Sequence, residues 1–213
     1  MKLLDLFCCE GGAAMGYIRA GFEIFGVDIE PQPRYPFEFV QADALEYLQQ
    51  HGHEFDAIHA SPPCQGYSMT KDLSGREHPM LIEQVRELLQ ASGKPYVIEN
   101  VLGAPLNNPV LLRGEMFGLM TRRPRLFECS FDVPFMLIPQ VPYKNVKMGR
   151  RPKDDEMIQV VGHFSDIGAA RRAMGIDWMS AYWLAQAIPP AYTEFIGGHL
   201  MRHLQPALFT EAA

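Results

Sequence analysis

The residues Lys2-Leu3-Leu4-Asp5-Leu6-Phe7 lead directly into Cys8-Cys9-Glu10-Gly11-Gly12-Ala13-Ala14-Met15-Gly16-Tyr17. The apolar run predicts a buried strand, and the glycines and alanines after it predict a tight turn that opens a helix ending near Ala20. Such a turn lets the backbone approach a ligand closely. A second apolar run, 23–27, predicts a strand that ends in Asp28. An acid about 20 residues after a glycine turn commonly binds ribose hydroxyls, so we expect a nucleotide-like ligand; a plain turn followed by a solvated acid is the alternative.

Further strands alternate with helices along the first half of the chain. Apolar runs at 37–41, 55–59 and 96–98 predict three more strands, with helical patterns between them. This alternation predicts an α/β fold with a doubly wound, mostly parallel sheet. Asp43 follows the strand predicted at 37–41, at the edge where ligands of such sheets bind. We therefore include Asp43 among the candidate ligand-binding residues.

The second half of the chain gives weaker signals. Residues 102–120 are rich in Gly, Pro and Asn and predict loops and turns. Ser165 is predicted to cap a short helix. Residues 177–186 predict a helix whose aromatic side chains pack in the core, and 191–204 predict a final helix.

A cysteine lies on a stiff turn after the predicted strand at 55–59. The segment reads Ser61-Pro62-Pro63-Cys64-Gln65-Gly66-Tyr67-Ser68. Proline fixes φ and donates no backbone N–H, so this turn is rigid before any ligand binds. The position suits a nucleophile, and a buried structural cysteine is the alternative. The polar stretch after it predicts a mobile loop, 66–75.

Glu99 and a group of arginines are further candidates. Glu99 follows the predicted strand at 96–98, where burial would raise the pKa of a carboxyl group; an exposed loop acid is the alternative. Arg122, Arg123 and Arg125 either form a solvated face or bind an anion or a base carbonyl.

Composition limits the classes of function. The chain has 213 residues with 47% hydrophobic and 21% charged residues, which fits one globular domain without a membrane-spanning run. The cysteines show no C-x-x-C spacing, so we expect a reducing cytoplasm and no zinc site. The net charge of −6 makes tight autonomous DNA binding less expected, although the basic stretch 144–153 is a candidate for phosphate contacts.

These segments together resemble the DNA (cytosine-5)-methyltransferase family. Residues 5–12 resemble its D-L-F-x-G-x-G-G motif, with Cys9 at a position where glycine is usual. The other matching segments are Pro62-Pro63-Cys64-Gln65, Glu99-Asn100-Val101, Arg123-Pro124-Arg125 and Gln186-Ala187-Ile188-Pro189-Pro190. The resemblance implies a Rossmann-like fold of the S-adenosylmethionine-dependent methyltransferases.

The resemblance also implies roles for individual residues. Cys64 would attack C6 of cytosine as a thiolate activated by its local field, Glu99 would bind N3 and the exocyclic amine, and Arg123 and Arg125 would hold the base carbonyl. S-adenosylmethionine would be bound, without a metal ion, by Phe7, Glu10, Gly11, Gly12, Asp28, Ile29, Asp43, Ala44, Pro62, Gln186 and Ala187. Pro63, Gln65, Ser68 and Asn100 would contact the substrate.

The chain departs from the family in its second half. A long recognition region usually separates the arginine motif from the last motif, whereas here about residues 129–175 remain. We assign residues 1–128 and 155–213 to a catalytic domain and 129–154 to a short, reduced recognition insert. The implied function is cytosine-5 methylation of DNA, as in restriction-modification. Three alternatives stay open: the same chemistry on tRNA, the same chemistry with a modified donor, or a cofactor-binding subunit that needs a protein partner for target recognition.

Overall fold

The computed structural model describes residues 1–64, 80–146, 150–153 and 155–206. The predicted substrate-binding residues Gln65 and Ser68, and the loop predicted at 66–75, lie outside these residues. Within them, no helix is both long and apolar enough to cross a bilayer.

A central sheet organises the described residues. Its seven strands are β1 Lys2–Leu6, β2 Glu23–Asp28, β3 Glu38–Gln41, β4 Ala57–Ala60, β5 Tyr96–Asn100, β6 Val110–Leu112 and β7 Arg125–Cys129. They lie in the order β3-β2-β1-β4-β5-β7-β6, and β1 to β5 are parallel to one another whereas β6 and β7 pair antiparallel at one edge. The helices are α1 Gly12–Arg19, α2 Ala44–His51, α3 Ile82–Ser92, α4 Ile167–Met174, α5 Ala181–Leu184 and α6 Pro190–Leu204.

Both faces of the sheet are covered, as a doubly wound fold requires. Leu4 and Leu6 of β1 belong to a cluster that includes Leu48 of α2 and Leu89 of α3. Leu3 of β1 belongs to a second cluster with residues of α1 and α6. Strands buried on both faces are apolar without strict alternation, which explains the continuous run that predicted β1. The predicted fold class is confirmed.

The chain order reverses between β1 and β4. Strands β2 and β3 extend the sheet on one side of β1, and β4 and β5 extend it on the other. In open α/β sheets, ligands bind outside the carboxyl ends of the strands at such a switch point. The turns that follow β1 and β4 are therefore the expected edges of a site.

Three local predictions were wrong. Residues 110–112 form β6 instead of a loop, because they pair with β7 through a long-range register that local composition does not report. Asp166, not Ser165, caps α4, and its carboxylate accepts from Ala169 N. The helix predicted at 177–186 shortens to α5, which Ser180 caps by accepting from Trp183 N.

The segment after β7 forms a separate small structure. Strand β8, Lys144–Asn145, pairs in parallel with β9, Glu156–Met157. Residues after β9 build a third apolar cluster with α4, including Ile158, Met174 and Met179. The β8–β9 pair spans the boundary proposed between residues 154 and 155, and the domain division itself stays a prediction.

Candidate active site

The turn after β1 brings backbone close to the switch point. Phe7, Cys9 and Gly11 all have positive φ, at 59°, 47° and 83°. A Cβ atom on Gly12 would lie 2.7 Å from the backbone oxygen of Ile188, so a side chain there would collide with backbone. The glycine therefore allows the turn to pack closely against Ile188, and the turn forms a cradle at the N-terminus of α1, where backbone N–H groups are suited to bind a ligand.

Asp28, at the end of β2, is fixed against this turn. One carboxylate oxygen accepts from Cys9 N at 2.9 Å and the other accepts from Glu30 N at 3.0 Å. A carboxylate offers about four lone-pair sites, so acceptor capacity remains for ligand hydroxyls. Asp28 lines the cavity described next.

A cavity of about 230 Å³ opens at the carboxyl edge of the sheet. We call it the central cavity. Its walls come from the turns after β1, β2 and β4, the ends of β5 and β7, and the segment from Met179 to Ile188. Among its lining residues are the predicted site residues Phe7, Gly12, Asp28, Ile29, Pro62, Pro63, Cys64, Glu99, Arg125, Gln186 and Ala187.

Cys64 stands on a turn that the neighbouring strand holds. Asn100 Nδ2, at the end of β5, donates to the Pro62 oxygen at 2.9 Å. Burial raises the pKa of the Cys64 thiol, nearby Arg125 and Arg123 lower it, and Glu99 raises it further. The net shift of the pKa is upward, so the described surroundings of Cys64 favour the thiol over the thiolate, and the activation of Cys64 stays a prediction.

Glu99 and Arg125 face each other across the cavity floor. Arg125 Nε lies 3.0 Å from Glu99 Oε1. That oxygen is buried and accepts no hydrogen bond from the described residues. It is therefore still able to accept a hydrogen bond from a ligand, although it is paired with the charge of Arg125. Burial raises the pKa of Glu99, against the lowering effects of Arg125, Arg123 and Ser61. The net shift is upward, so this environment favours the protonated form of the carboxyl more than water does.

Arg123 does not reach the central cavity. It is buried, and its guanidinium donates to the backbone oxygens of Ala187, Val160 and Ala185 at 3.1, 2.5 and 2.7 Å. The prediction that Arg123 holds the base carbonyl is wrong for this geometry, because each of its three nitrogens donates to a backbone oxygen and the side chain does not line the central cavity. Arg123 instead anchors the wall that contains Ala187.

Several other predicted residues support the site from outside the cavity lining. Glu10 accepts from Trp178 Nε1 through its backbone oxygen and from Ser180 N through its carboxylate, at 2.7 and 2.8 Å. Gly11 supplies the left-handed N-cap of α1. Asn100 holds the cysteine turn rather than lining the cavity.

Asp43 and Ala44 are not among the residues that line the central cavity. Asp43 is exposed and caps α2, where its carboxylate accepts from Leu45 N and Glu46 N at 2.9 and 3.0 Å. Both neighbouring amides are N-terminal helix donors that lack partners within the helix, so a capping role satisfies them. Both capping bonds use the same oxygen of Asp43, and the cofactor contact of this pair stays a prediction.

Sequence reasoning missed one wall of the site. Tyr182 and Trp183 were interpreted as core residues, but both line the central cavity, and Tyr182 is 66% exposed. Asp5 and Met179 also line it. The aromatic residues in 177–186 could have faced either the core or a ligand site. Helix α5 is too short for its sequence pattern to show which side is buried.

The arrangement has two chemically distinct ends. The end near Gly12 and Asp28 offers an open cradle and carboxylate acceptors, which fit the hydroxyl groups and adenosyl part of S-adenosylmethionine. The end near Cys64, Glu99 and Arg125 offers a thiol, a carboxyl and a cation, which fit a polar heterocycle. Within the described residues, no group of three or more His, Cys, Asp or Glu side chains is placed to hold a metal ion.

Comparison with known proteins gives a consistent family. Type II methyltransferase M.FnuDI of Fusobacterium nucleatum is 32% identical over 113 residues, which are 48% of this chain and 33% of that protein. Type II methyltransferase M1.HphI of Haemophilus parahaemolyticus is 26% identical over 207 residues, which are 82% of this chain and 55% of that protein. The chain thus spans between a third and just over half of the length of these relatives.

Two solved structures share the fold. An Escherichia coli prophage protein assigned to the DNA modification methyltransferases has a TM-score of 0.66 at 15% identity, covering 96% of this chain and 99% of that one. Schizosaccharomyces pombe Dnmt2 methyltransferase has a TM-score of 0.61 at 12% identity, covering 98% and 99%. At such identities the similarity establishes the fold alone.

A family model decides the assignment. The model for C-5 cytosine-specific DNA methylases matches residues 1–108, which include the glycine turn, Asp28, Cys64 and Glu99. That is half of the 213 residues. This chain therefore belongs to the family of C-5 cytosine-specific DNA methylases.

Proposed function

We propose that this chain transfers a methyl group from S-adenosylmethionine to C5 of cytosine in DNA, through a covalent bond between Cys64 Sγ and C6. The observation that carries the proposal is the convergence of Cys64, Glu99 and Arg125 in one cavity with the glycine cradle and Asp28. A thiol nucleophile beside a carboxyl and a guanidinium suits a polar base, and the cradle suits a nucleotide cofactor.

The end of the cavity near Gly12 and Asp28 would bind the methyl donor, S-adenosylmethionine. When bound there, S-adenosylmethionine supplies an electrophilic methyl group. Phe7, Gly12 and the Gln186–Ala187 segment would border it, and Asp28 would accept from its ribose hydroxyls. The acceptor sites that Asp28 retains beyond Cys9 N and Glu30 N support this role.

Cys64 performs the covalent step. C5 of cytosine is a weak nucleophile, and addition of the Cys64 thiolate at C6 removes the C5–C6 double bond and the aromaticity of the ring, which makes C5 enamine-like. After methyl transfer, a base removes the C5 proton, the bond from Cys64 to C6 breaks, and the double bond between C5 and C6 returns. Because the pKa of Cys64 is raised at rest, the thiol must lose its proton as the base binds.

Glu99 recognises the base. Its unfilled oxygen Oε1 can accept from the exocyclic amine, and a proton held by the carboxyl can be shared with N3. Thymine offers an oxygen and an N–H at these two positions, so this pattern favours cytosine. Arg125, next to Glu99, is the available donor for the base carbonyl.

The substrate is proposed to be DNA, with the cytosine flipped out of a duplex before reaction. The same chemistry on tRNA is the second candidate. A third candidate is a subunit that recognises its target with a protein partner, and the short segment between β7 and α4 together with the net charge of −6 favours it.

A trapping experiment tests the proposal. The protein is mixed with labelled S-adenosylmethionine and duplex DNA containing 5-fluorocytosine, whose fluorine cannot leave as a proton. We expect a covalent complex that carries the label, is lost in Cys64→Ala and persists in Cys129→Ala, a second free cysteine. Transfer to tRNA but not DNA would favour the second candidate, and cofactor binding without a complex on either substrate would favour the third.

A further inference from the structure

His59 of β4 is a fully buried polar side chain that the proposed reaction does not use. Its two ring nitrogens each have one neighbour. Nδ1 lies 3.0 Å from Tyr17 Oη of α1, and Nε2 lies 2.8 Å from Ser61 Oγ. Ser61 begins the turn that carries Cys64, and it lines the central cavity. The three side chains therefore connect the core beneath α1 to the active site.

The direction of the hydrogen bonds follows from proton counting. Burial lowers the pKa of His59 to about 3, so the ring is neutral and has one N–H. Tyr17 is also buried and has no other acceptor for its O–H among the residues that the structure describes, so it donates to Nδ1. The single ring proton is then on Nε2, and His59 donates to Ser61 Oγ.

The hydroxyl proton of Ser61 is left for Glu99. Because Ser61 Oγ already accepts from His59, its O–H is free to donate into the central cavity, which Ser61 and Glu99 both line. Hydrogen bonding by Ser61 also lowers the pKa of the Glu99 carboxyl. Arg125 and the Cys64 thiol also line the cavity beside Glu99, and the charge of the buried Arg123 lowers the pKa of Glu99 as well. Tyr17 in turn has Asp5, Cys129 and Glu99 near it.

We propose that Tyr17, His59 and Ser61 are positioning residues, which form a one-way relay of hydrogen bonds and fix Ser61 as a donor to Glu99. The relay rests on the proposed function, because it assigns these residues to the carboxyl that binds the base. Without Tyr17 Oη, the ring proton can move to Nδ1, and Ser61 would turn its O–H toward Nε2. Glu99 would then lose a donor, and its charged form would be less stable.

The pKa of Glu99 gives a direct test that needs no enzymatic activity. Protein labelled with 13C-glutamate is titrated by NMR, and the Glu99 side-chain carboxyl signal is identified by its loss in Glu99→Gln. In Ser61→Ala and in Tyr17→Phe we expect the pKa of Glu99 to rise by about one unit, because a hydrogen bond to a charged group is lost. In His59→Gln, whose side chain keeps an acceptor and a donor, the pKa of Glu99 should stay closer to the wild-type value than in His59→Leu.

Tyr192→Phe is the matched control. Its hydroxyl is also buried, but it donates to the backbone oxygens of Arg122 and Arg123 at 3.2 and 2.9 Å. An unchanged Glu99 pKa in Ser61→Ala, or an equal shift in Tyr192→Phe and Tyr17→Phe, would overturn the relay. The trapping experiment on the wild-type protein separates the two proposals. Failure to form a covalent complex would contradict the proposed function, whereas the titration tests the relay alone.

Discussion

Asn100 Nδ2 donates to the backbone oxygen of Pro62 at 2.9 Å, which ties the end of β5 to the turn that presents Cys64. Asn100 is buried, and its own Oδ1 accepts from Val101 N at 2.9 Å. The side chain therefore bridges the strand that carries Glu99 and the turn that carries the nucleophile. Its place in the family motif is explained by geometry rather than by contact with the cavity.

We expect Asn100→Ala to reduce the rate of covalent trapping by roughly tenfold to a hundredfold, because a displacement of about 1 Å at a reacting group can cost this much. Cofactor affinity should stay within about twofold, since Asn100 does not line the central cavity. The two quantities are measured by single-turnover trapping and by calorimetry. Asn145→Ala, at an exposed position of β8, is the control, and an equal loss in it would contradict the assignment.

Arg123→Lys should weaken both the fold and the cofactor end of the site. A lysine ammonium cannot reproduce the fork that reaches the oxygens of Ala187, Val160 and Ala185. We expect a loss of about 3 kcal/mol in unfolding free energy and a roughly tenfold loss of cofactor affinity, because the wall at Ala187 loosens. Urea unfolding and calorimetry measure these effects.

Arg122→Lys provides the comparison for Arg123. Arg122 is an exposed neighbour whose ion pair with Glu115 spans 3.5 Å, and its substitution should change stability by less than about 0.5 kcal/mol. A fully stable Arg123→Lys protein that had lost trapping alone would restore the original assignment of Arg123 to the base.

Alkylation of Cys64 should be slow at neutral pH and accelerate as pH rises past the ordinary thiol range, because burial raises its pKa. Glu99→Gln removes a neighbour that raises this pKa and should speed the reaction, whereas Arg125→Gln removes one that lowers it and should slow the reaction. Iodoacetamide labelling followed by peptide mass spectrometry gives the rates. Cys129, whose pKa is raised to about 12 by burial and by Glu128, serves as the internal reference. Rapid labelling of Cys64 below about pH 7 would contradict this description.

Asp5 should make the fold less stable as pH rises. Burial raises the pKa of Asp5 from 3.8 to about 8, against a lowering hydrogen bond from Tyr35 and with a further increase from Asp28. Between these values the folded state binds more protons than the unfolded state. The contribution of Asp5 to the unfolding free energy therefore decreases with increasing pH across this window.

Urea unfolding between about pH 5 and about pH 8 measures this slope. We expect Asp5→Asn to flatten it, because asparagine does not titrate. Asp56→Asn is the matched control: Asp56 is exposed and accepts from Lys2 N at 2.8 Å. A slope that survives in Asp5→Asn would show that another group carries it.

The sequence alone determined the order of strands and helices around the switch point. The apolar run of β1, the glycine turn and Asp28 are local signals, because a buried strand and a positive φ restrict residue type directly. The same holds for Cys64 and Glu99, whose places after β4 and near the end of β5 follow from strand length. Their convergence follows from the parallel sheet, which brings the carboxyl ends of its strands to one edge.

The tertiary structure alone decided which polar side chains face the central cavity. Arg123 and Arg125 are two residues apart, yet Arg125 pairs with Glu99 and Arg123 donates to backbone 62 and 64 residues away in the chain. The Asp43 carboxylate accepts from an amide of its own helix, and the His59 ring is hydrogen-bonded to Tyr17, 42 residues away in the chain. A buried polar group must be satisfied by whichever partner the packing brings near, and the sequence does not state which partner that is.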